Sequence, residues 1–173
     1  EEGKYYWRIT QWIMPSFTLI PPRGDHPIGG HFWVPIDDEN CWAWSTNHHA
    51  TRPLKPEEHQ AMEDGEGIHV ALIPGTYRPV ANKDNDYLMD RKAQKEGRSF
   101  SGVEGFAMQD ASVQESMGRI VDRSKEHLGS SDSAVIRVRR MWLGAADDLE
   151  RGIAPRGVAA AAEYRVRAAN FVI

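Results

Sequence analysis

The sequence predicts an α+β fold, an antiparallel sheet packed against C-terminal helices. Three observations predict it. Aromatic and β-branched residues crowd the stretch from about residue 5 to residue 45, turn-forming residues cut that stretch into short pieces, and beyond residue 100 the apolar period lengthens to helical spacing. A chain of 173 residues, 40% of them hydrophobic, suits one domain or part of a larger one.

Residues 5–20 read as strand, interrupted at Met14-Pro15, because proline cannot donate to a sheet ladder. Pro21-Pro22-Arg23-Gly24-Asp25 forms a loop. Two strands follow, His31 to Ile36 and Cys41 to Ser45, joined by Asp37-Asp38-Glu39-Asn40 as a four-residue hairpin loop. Residues 50–86 are polar and broken by Pro53, Pro56, Pro74 and Pro79, and they predict a long irregular segment. Ser101-x-x-Glu104 and Ser112-x-x-Glu115 both match the capping-box pattern and signal a helix start, placed at about 109–117 with Gly118 as its stop. A longer helix is expected from Asp132 to Arg151, with Val135, Val138, Trp142, Ala145 and Leu149 as its buried stripe, Gly152 as the residue that ends it and Pro155 beyond. Residues 158–169 are alanine-rich and suit a terminal helix, although Arg165 and Arg167 fit a strand equally.

Composition narrows the function. A net charge of -4 argues against a nucleic-acid partner, which wants a basic face. The single cysteine, Cys41, rules out an internal disulfide or a cysteine-rich cluster within this chain; it reads as a half-buried strand residue. No apolar run is long enough to span a bilayer and no signal peptide is visible, so the expectation is a cytoplasmic protein with no membrane partner. The opening Glu1-Glu2-Gly3 reads as a cut through a longer protein.

Asp110 is the first candidate for chemistry. On a helix it shares a face with Val113 and Met117, with Phe106 a turn earlier, which sets a carboxylate on an apolar side. Such a charge is expensive to bury unless it is paired or metal-bound; a helix cap or a first-turn position facing the dipole explains it equally well. His26 and His31 lie five residues apart, but Pro27-Ile28-Gly29-Gly30 between them is not helical, and they are not read as a joint ligand pair. His48 and His49 are adjacent and would point apart on a strand. His59, His69 and His127 read as surface or structural residues, Asp37-Asp38-Glu39 as a solvated hairpin tip, and Trp42 and Trp44 as sheet core. Arg137, Arg139 and Arg140 suggest a solvated face or a subunit contact. No nucleophile elbow, phosphate loop or dinucleotide fingerprint appears.

Longer runs carry a resemblance. Asn85-Asp86-Tyr87-Leu88-Met89-Asp90-Arg91, then Ser99 to Gly105, then Gln109-Asp110-Ala111-Ser112 through Gly118, and Ile120 through Asp132 resemble the phthalate dioxygenase-like Rieske oxygenases, including the branch that demethylates aryl ethers. Pro21-Pro22-Arg23-Gly24 and His31 through Glu39 resemble the same family, so the likeness covers most of residues 10–152.

The resemblance implies that residues 1–173 are the C-terminal portion of one helix-grip catalytic domain in a terminal oxygenase. It implies a mononuclear Fe(II) held by two histidines and a carboxylate, with Asp110 at the carboxylate's position, and a [2Fe–2S] Rieske cluster in an N-terminal domain absent here. That ligand set leaves open positions on the metal beside the substrate. It further implies an aromatic substrate, a reductase that passes on electrons from NAD(P)H, a homotrimer, and either ring hydroxylation or O-demethylation with dioxygen. The iron histidines of the family lie on a helix upstream of the matched region, so the fragment alone is expected to be inactive. The reading from another class is a non-catalytic helix-on-sheet module that binds a small apolar ligand.

Overall fold

The computed structural model describes residues 3–173, which form two compact units: residues up to Arg23 together with Asp122–Ile173, and Gly24–Val121. The chain is α+β throughout, as predicted, with antiparallel strand pairs and several helices.

In the first unit, strands β2 (Gln11–Ile13) and β3 (Phe17–Ile20) form a hairpin around the Met14-Pro15 interruption. Strand β1 (Tyr6–Ile9) pairs instead with β6 (Ala169–Val172), Tyr6 opposite Val172. The alanine-rich tail is therefore a short 3-10 turn (Ala161–Tyr164) leading into a strand, not a terminal helix. The β-branched and aromatic residues at its end, with β1 available as a partner, prevail over alanine's helix preference.

The long helix, labelled α4, runs Ser133–Glu150, within one residue of the expected bounds at each end. Its stripe is not buried: Val135 is 42% exposed, Trp142 46% and Leu149 63%. Helical period identifies an apolar face but not what covers it. Trp142 still anchors the helix within the unit. Its indole N–H donates to the Pro15 carbonyl at 2.6 Å, and its ring meets Trp12 of β2 edge to face at 5.8 Å. Arg139 is neither a free solvated charge nor shown in a subunit contact: it makes a two-pronged pair with Glu126, with one prong at 2.8 Å.

In the second unit, β4 (Ile28–Pro35) and β5 (Cys41–His48) pair along eight residues, His31 opposite Ser45. The tip between them forms as expected: the Asp37 carboxylate accepts from the Glu39 and Asn40 backbone N–H groups at 2.8 and 2.7 Å. Cys41 opens β5 but is exposed rather than half-buried. Trp42 and Trp44 are not sheet core either. Trp42 is 38% exposed and Trp44 50%, and Tyr77 packs edge to face on Trp42 at 5.1 Å, so the three rings cover one another on an open face.

The segment expected to be irregular contains a helix, α1 (Pro56–Glu63). Pro56 sits at its start, where the missing N–H costs nothing, and Glu58 reaches back to the Lys55 N–H at 2.7 Å. Glu58 also takes the Arg52 guanidinium at 2.7 and 2.9 Å. The Arg52 hydrogen bonds, first, and the Lys55 N–H hold its carboxyl down at about 2. A depressed carboxyl contributes stability that is present above its unfolded value near 4.3 and is lost as pH falls through about 2. Glu58→Gln is therefore expected to flatten the acid limb of the stability curve between those pH values. Urea unfolding of both forms at pH 2, 4 and 7 checks it; parallel curves would refute it.

A short helix α2 (Arg91–Lys95) is capped by Asp90, whose carboxylate accepts from the Ala93 N–H at 2.8 Å. Helix α3 spans Phe106–Ser116 and stops at Gly118, which takes φ +95°. Neither predicted capping box starts it. Gly105 does, while Ser101 bonds within its own turn and Ser112, mid-helix, bonds back to the Gln109 carbonyl. Tyr87, Val103 and Met108 form the buried cluster beneath α3, with Val70, Ala81, Met89 and Ala111 packed against it.

Candidate functional site

Asp110 lies in the body of α3, five residues past the Gly105 cap, so it neither caps the helix nor faces its first turn. It is exposed, and so are Phe106 (62%), Val113 (62%) and Met117 (53%) on the same face. The opposite face carries Met108 and Ser112 into the core. The expected carboxylate on an apolar face is there, but that face is uncovered.

The position of α3 depends on a strained turn. Asp86, Tyr87 and Leu88 hold φ of +50°, +55° and +52°, a left-handed conformation that is rare for residues with a side chain. Asn82 holds the turn: its carbonyl accepts from the Tyr87 N–H at 2.8 Å and its side chain from the Asp84 N–H at 3.0 Å. The strain delivers the Tyr87 ring into the core at 7% exposure, with its hydroxyl donating to Glu115 of α3. Burial first, then the Glu115 carboxylate, push that hydroxyl up to about 12. A raised phenol contributes stability that is complete below its unfolded value near 10 and is lost as pH rises through about 12. Tyr87→Phe is expected to cost about 1.5 kcal/mol at pH 7 and to remove the alkaline loss. Denaturant melts at pH 7 and pH 11 measure both; an unchanged alkaline slope would count against the pairing.

Two histidines that the sequence reading left aside stand together, His31 near Asp110 and His69 near His31. His31, on β4, is half-buried. Burial pushes its imidazole down, while a bond to the Ile68 carbonyl and the nearby Asp110 carboxylate pull it back up. His69 is half-buried too, not at the surface, and burial together with His31 pushes it down. Both shifts favour the neutral imidazole. Ser45, directly opposite His31, donates to the same Ile68 carbonyl at 2.9 Å, which ties the 68–69 backbone to the sheet.

The other histidines stay apart. His26 and His48 are exposed, His49 pairs with Asp25 at 3.1 Å, and His59 and His127 are exposed as expected. Among the described residues, no three His, Cys, Asp or Glu side chains converge in a way that would hold a metal ion. With one cysteine, the chain also lacks the ligands of a Rieske cluster. The described residues therefore fit neither group as a complete site, and Asp110 offers a single carboxylate towards one. No helix among them is long and apolar enough to cross a membrane.

The arrangement is thus an exposed carboxylate on an uncovered apolar helix face, with His31 nearby. The chain belongs to the LigXa C-terminal domain-like family, whose model matches residues 2–172. It is 34% identical over 176 residues to the oxygenase subunit of 3-chlorobenzoate-3,4-dioxygenase from Comamonas testosteroni, covering 95% of this chain and 41% of that protein. It is 35% identical over 152 residues to the oxygenase subunit of phthalate 4,5-dioxygenase from Pseudomonas putida, covering 85% of this chain and 33% of that protein. These matches bear out the resemblance to the C-terminal part of a Rieske oxygenase. The chain spans 41% and 33% of the length of these two relatives.

Proposed function

We propose that this chain is the C-terminal portion of the catalytic domain in the oxygenase subunit of a Rieske non-haem iron system. The observation that carries the reading is the outer face of α3, where Asp110 stands among Phe106, Val113 and Met117 with no described residue over it. That face needs a cover, and the relatives have more than half of their length outside the matched region. In the whole subunit Asp110 is the carboxylate ligand of a mononuclear Fe(II), and two histidines outside this chain complete the set. A [2Fe–2S] Rieske domain and a reductase drawing on NAD(P)H supply electrons, in a cytoplasmic homotrimer.

The substrate is an aromatic carboxylate, because the names of both relatives denote benzenecarboxylates. The reaction inserts oxygen from dioxygen into the ring or into an O-methyl substituent. The test is anaerobic Fe(II) uptake, followed by turnover of benzoate-type substrates, by the longest polypeptide the gene encodes, with and without Asp110→Ala. One iron per subunit that depends on Asp110, together with turnover, supports the reading. An iron-free polypeptide, or iron indifferent to Asp110, overturns it.

A further inference from the structure

A half-open cleft of about 220 Å³ lies in the second unit, between the 78–83 segment and residues of α3 that do not share the Asp110 face. A dry cavity of about 150 Å³ is enough for benzene, so this volume suits a substituted six-membered ring. The floor is apolar: the buried Tyr87 ring and Met108, with Ala111 packed against them. The left-handed residues Asp86, Tyr87 and Leu88 bring that ring into place. Backbone strain of this kind gathers at ligand sites, where the surrounding structure holds it. Here Asn82, itself part of the cleft wall, holds it by accepting from the Tyr87 N–H at 2.8 Å.

The charged groups of the wall are unevenly satisfied. Arg78 donates from Nη2 to Asn82 at 3.0 Å and pairs with Asp84, so its charge is already met. Lys83 has no hydrogen-bond or ion-pair partner among the described residues, and it is the uncommitted cation of the cleft. Glu115 takes the Tyr87 hydroxyl on one oxygen, and its other oxygen takes no bond from a described residue. The cleft thus sets a free ammonium and a half-used carboxylate over one apolar floor. An anionic acceptor makes the stronger bond to Lys83. The free oxygen of Glu115 needs a donor, and a neutral O–H suits it better than an ammonium, because Arg78 and Lys83 line the same cleft.

We infer that this cleft binds a six-membered-ring acid that carries a hydroxyl. The carboxylate accepts from Lys83, the ring lies on Tyr87 and Met108, and the hydroxyl donates to Glu115. The inference stands on the cleft alone; joined to the functional reading above, such a compound is of the class that oxygen insertion into an aromatic acid yields.

The test reads Lys83 itself, in the longest polypeptide the gene encodes and without added iron. Acetylation of its amine by acetic anhydride is followed by peptide mass spectrometry, with Lys92 and Lys125, which do not line the cleft, as controls in the same digest. The probes are 3- and 4-hydroxybenzoate, benzoate and phenol. At least one hydroxybenzoate is expected to slow acetylation of Lys83 at a concentration about tenfold or more below that of benzoate or phenol, while the control lysines keep their rates. Glu115→Gln still accepts from Tyr87 but lacks the charge; it is expected to raise the half-protecting concentration of that hydroxybenzoate about fivefold and to leave that of benzoate within about twofold. A Lys83 already shielded without ligand, no protection by either hydroxybenzoate, protection by benzoate or phenol at the same concentration, or equal slowing of the control lysines overturns the assignment. So does a Glu115→Gln variant that treats the two acids alike. Because no iron enters the measurement, failure here leaves the Asp110 reading standing, and iron indifferent to Asp110 leaves this one standing.

Discussion

Replacing Asp110 with alanine is expected to weaken Fe(II) binding by the whole oxygenase subunit by about 100-fold or more, since even residues that merely support a metal ligand are worth about 10- to 100-fold. The apo protein should move the other way. Asp110 is exposed in the interior of α3, and no cap depends on it. Alanine is the better helix former at such a position by roughly 0.5 kcal/mol. The ligand reading thus predicts two opposite signs from one substitution: metal lost, metal-free stability unchanged or slightly raised. A structural carboxylate predicts the reverse pair, a destabilised apo protein and no change in metal. Iron analysis and thermal melts of the apo form, on the same preparations, separate the two. Asp110→Glu adds a further check, because it keeps the charge but lengthens the reach, and a geometric ligand set should tolerate it poorly.

What the sequence disclosed was local. Helix α4 could be bounded to within a residue because its apolar period runs from Val135 to Leu149 and Gly152, at φ +71°, ends it. The Asp37 hairpin tip was equally plain, because its hydrogen bonds stay within four residues. The helix face that carries Asp110 could be read from its period. Burial could not be read in the same way: Val135, Trp142 and Leu149, or Trp42 and Trp44, are apolar at the right spacing and still exposed. Helix α1 was missed because Pro53 and Pro56 looked like breakers, although Pro56-Glu57-Glu58 carries a helix-start signal with proline in the first turn. His69 was invisible for a deeper reason. Its burial comes from a backbone approach and from a Ser45–Ile68 bond across 23 residues, and neither leaves a periodic trace.

That backbone approach sets the other large effect. Gly65 follows α1 with φ +77°, and a Cβ placed there would lie 2.2 Å from the Ala71 nitrogen and 2.6 Å from the Val70 carbonyl carbon. Gly97 follows α2 in the same way, at φ +72°, but a Cβ there meets nothing within 4 Å. The pair separates two costs that a single glycine confounds. Gly97→Ala carries only the left-handed penalty, about 1 kcal/mol. Gly65→Ala adds a collision with main chain that cannot rotate away, and overpacking of that kind costs about 1–3 kcal/mol more. The expected totals are about 1 and about 2–4 kcal/mol, or melting points lowered by about 3 and about 6–12 °C in a chain of this size. Thermal melts of both variants beside the wild type measure them; equal shifts would show that the 65–71 loop yields freely. If it does not yield, relief must come from moving Val70 and Ala71, and His69 moves with them.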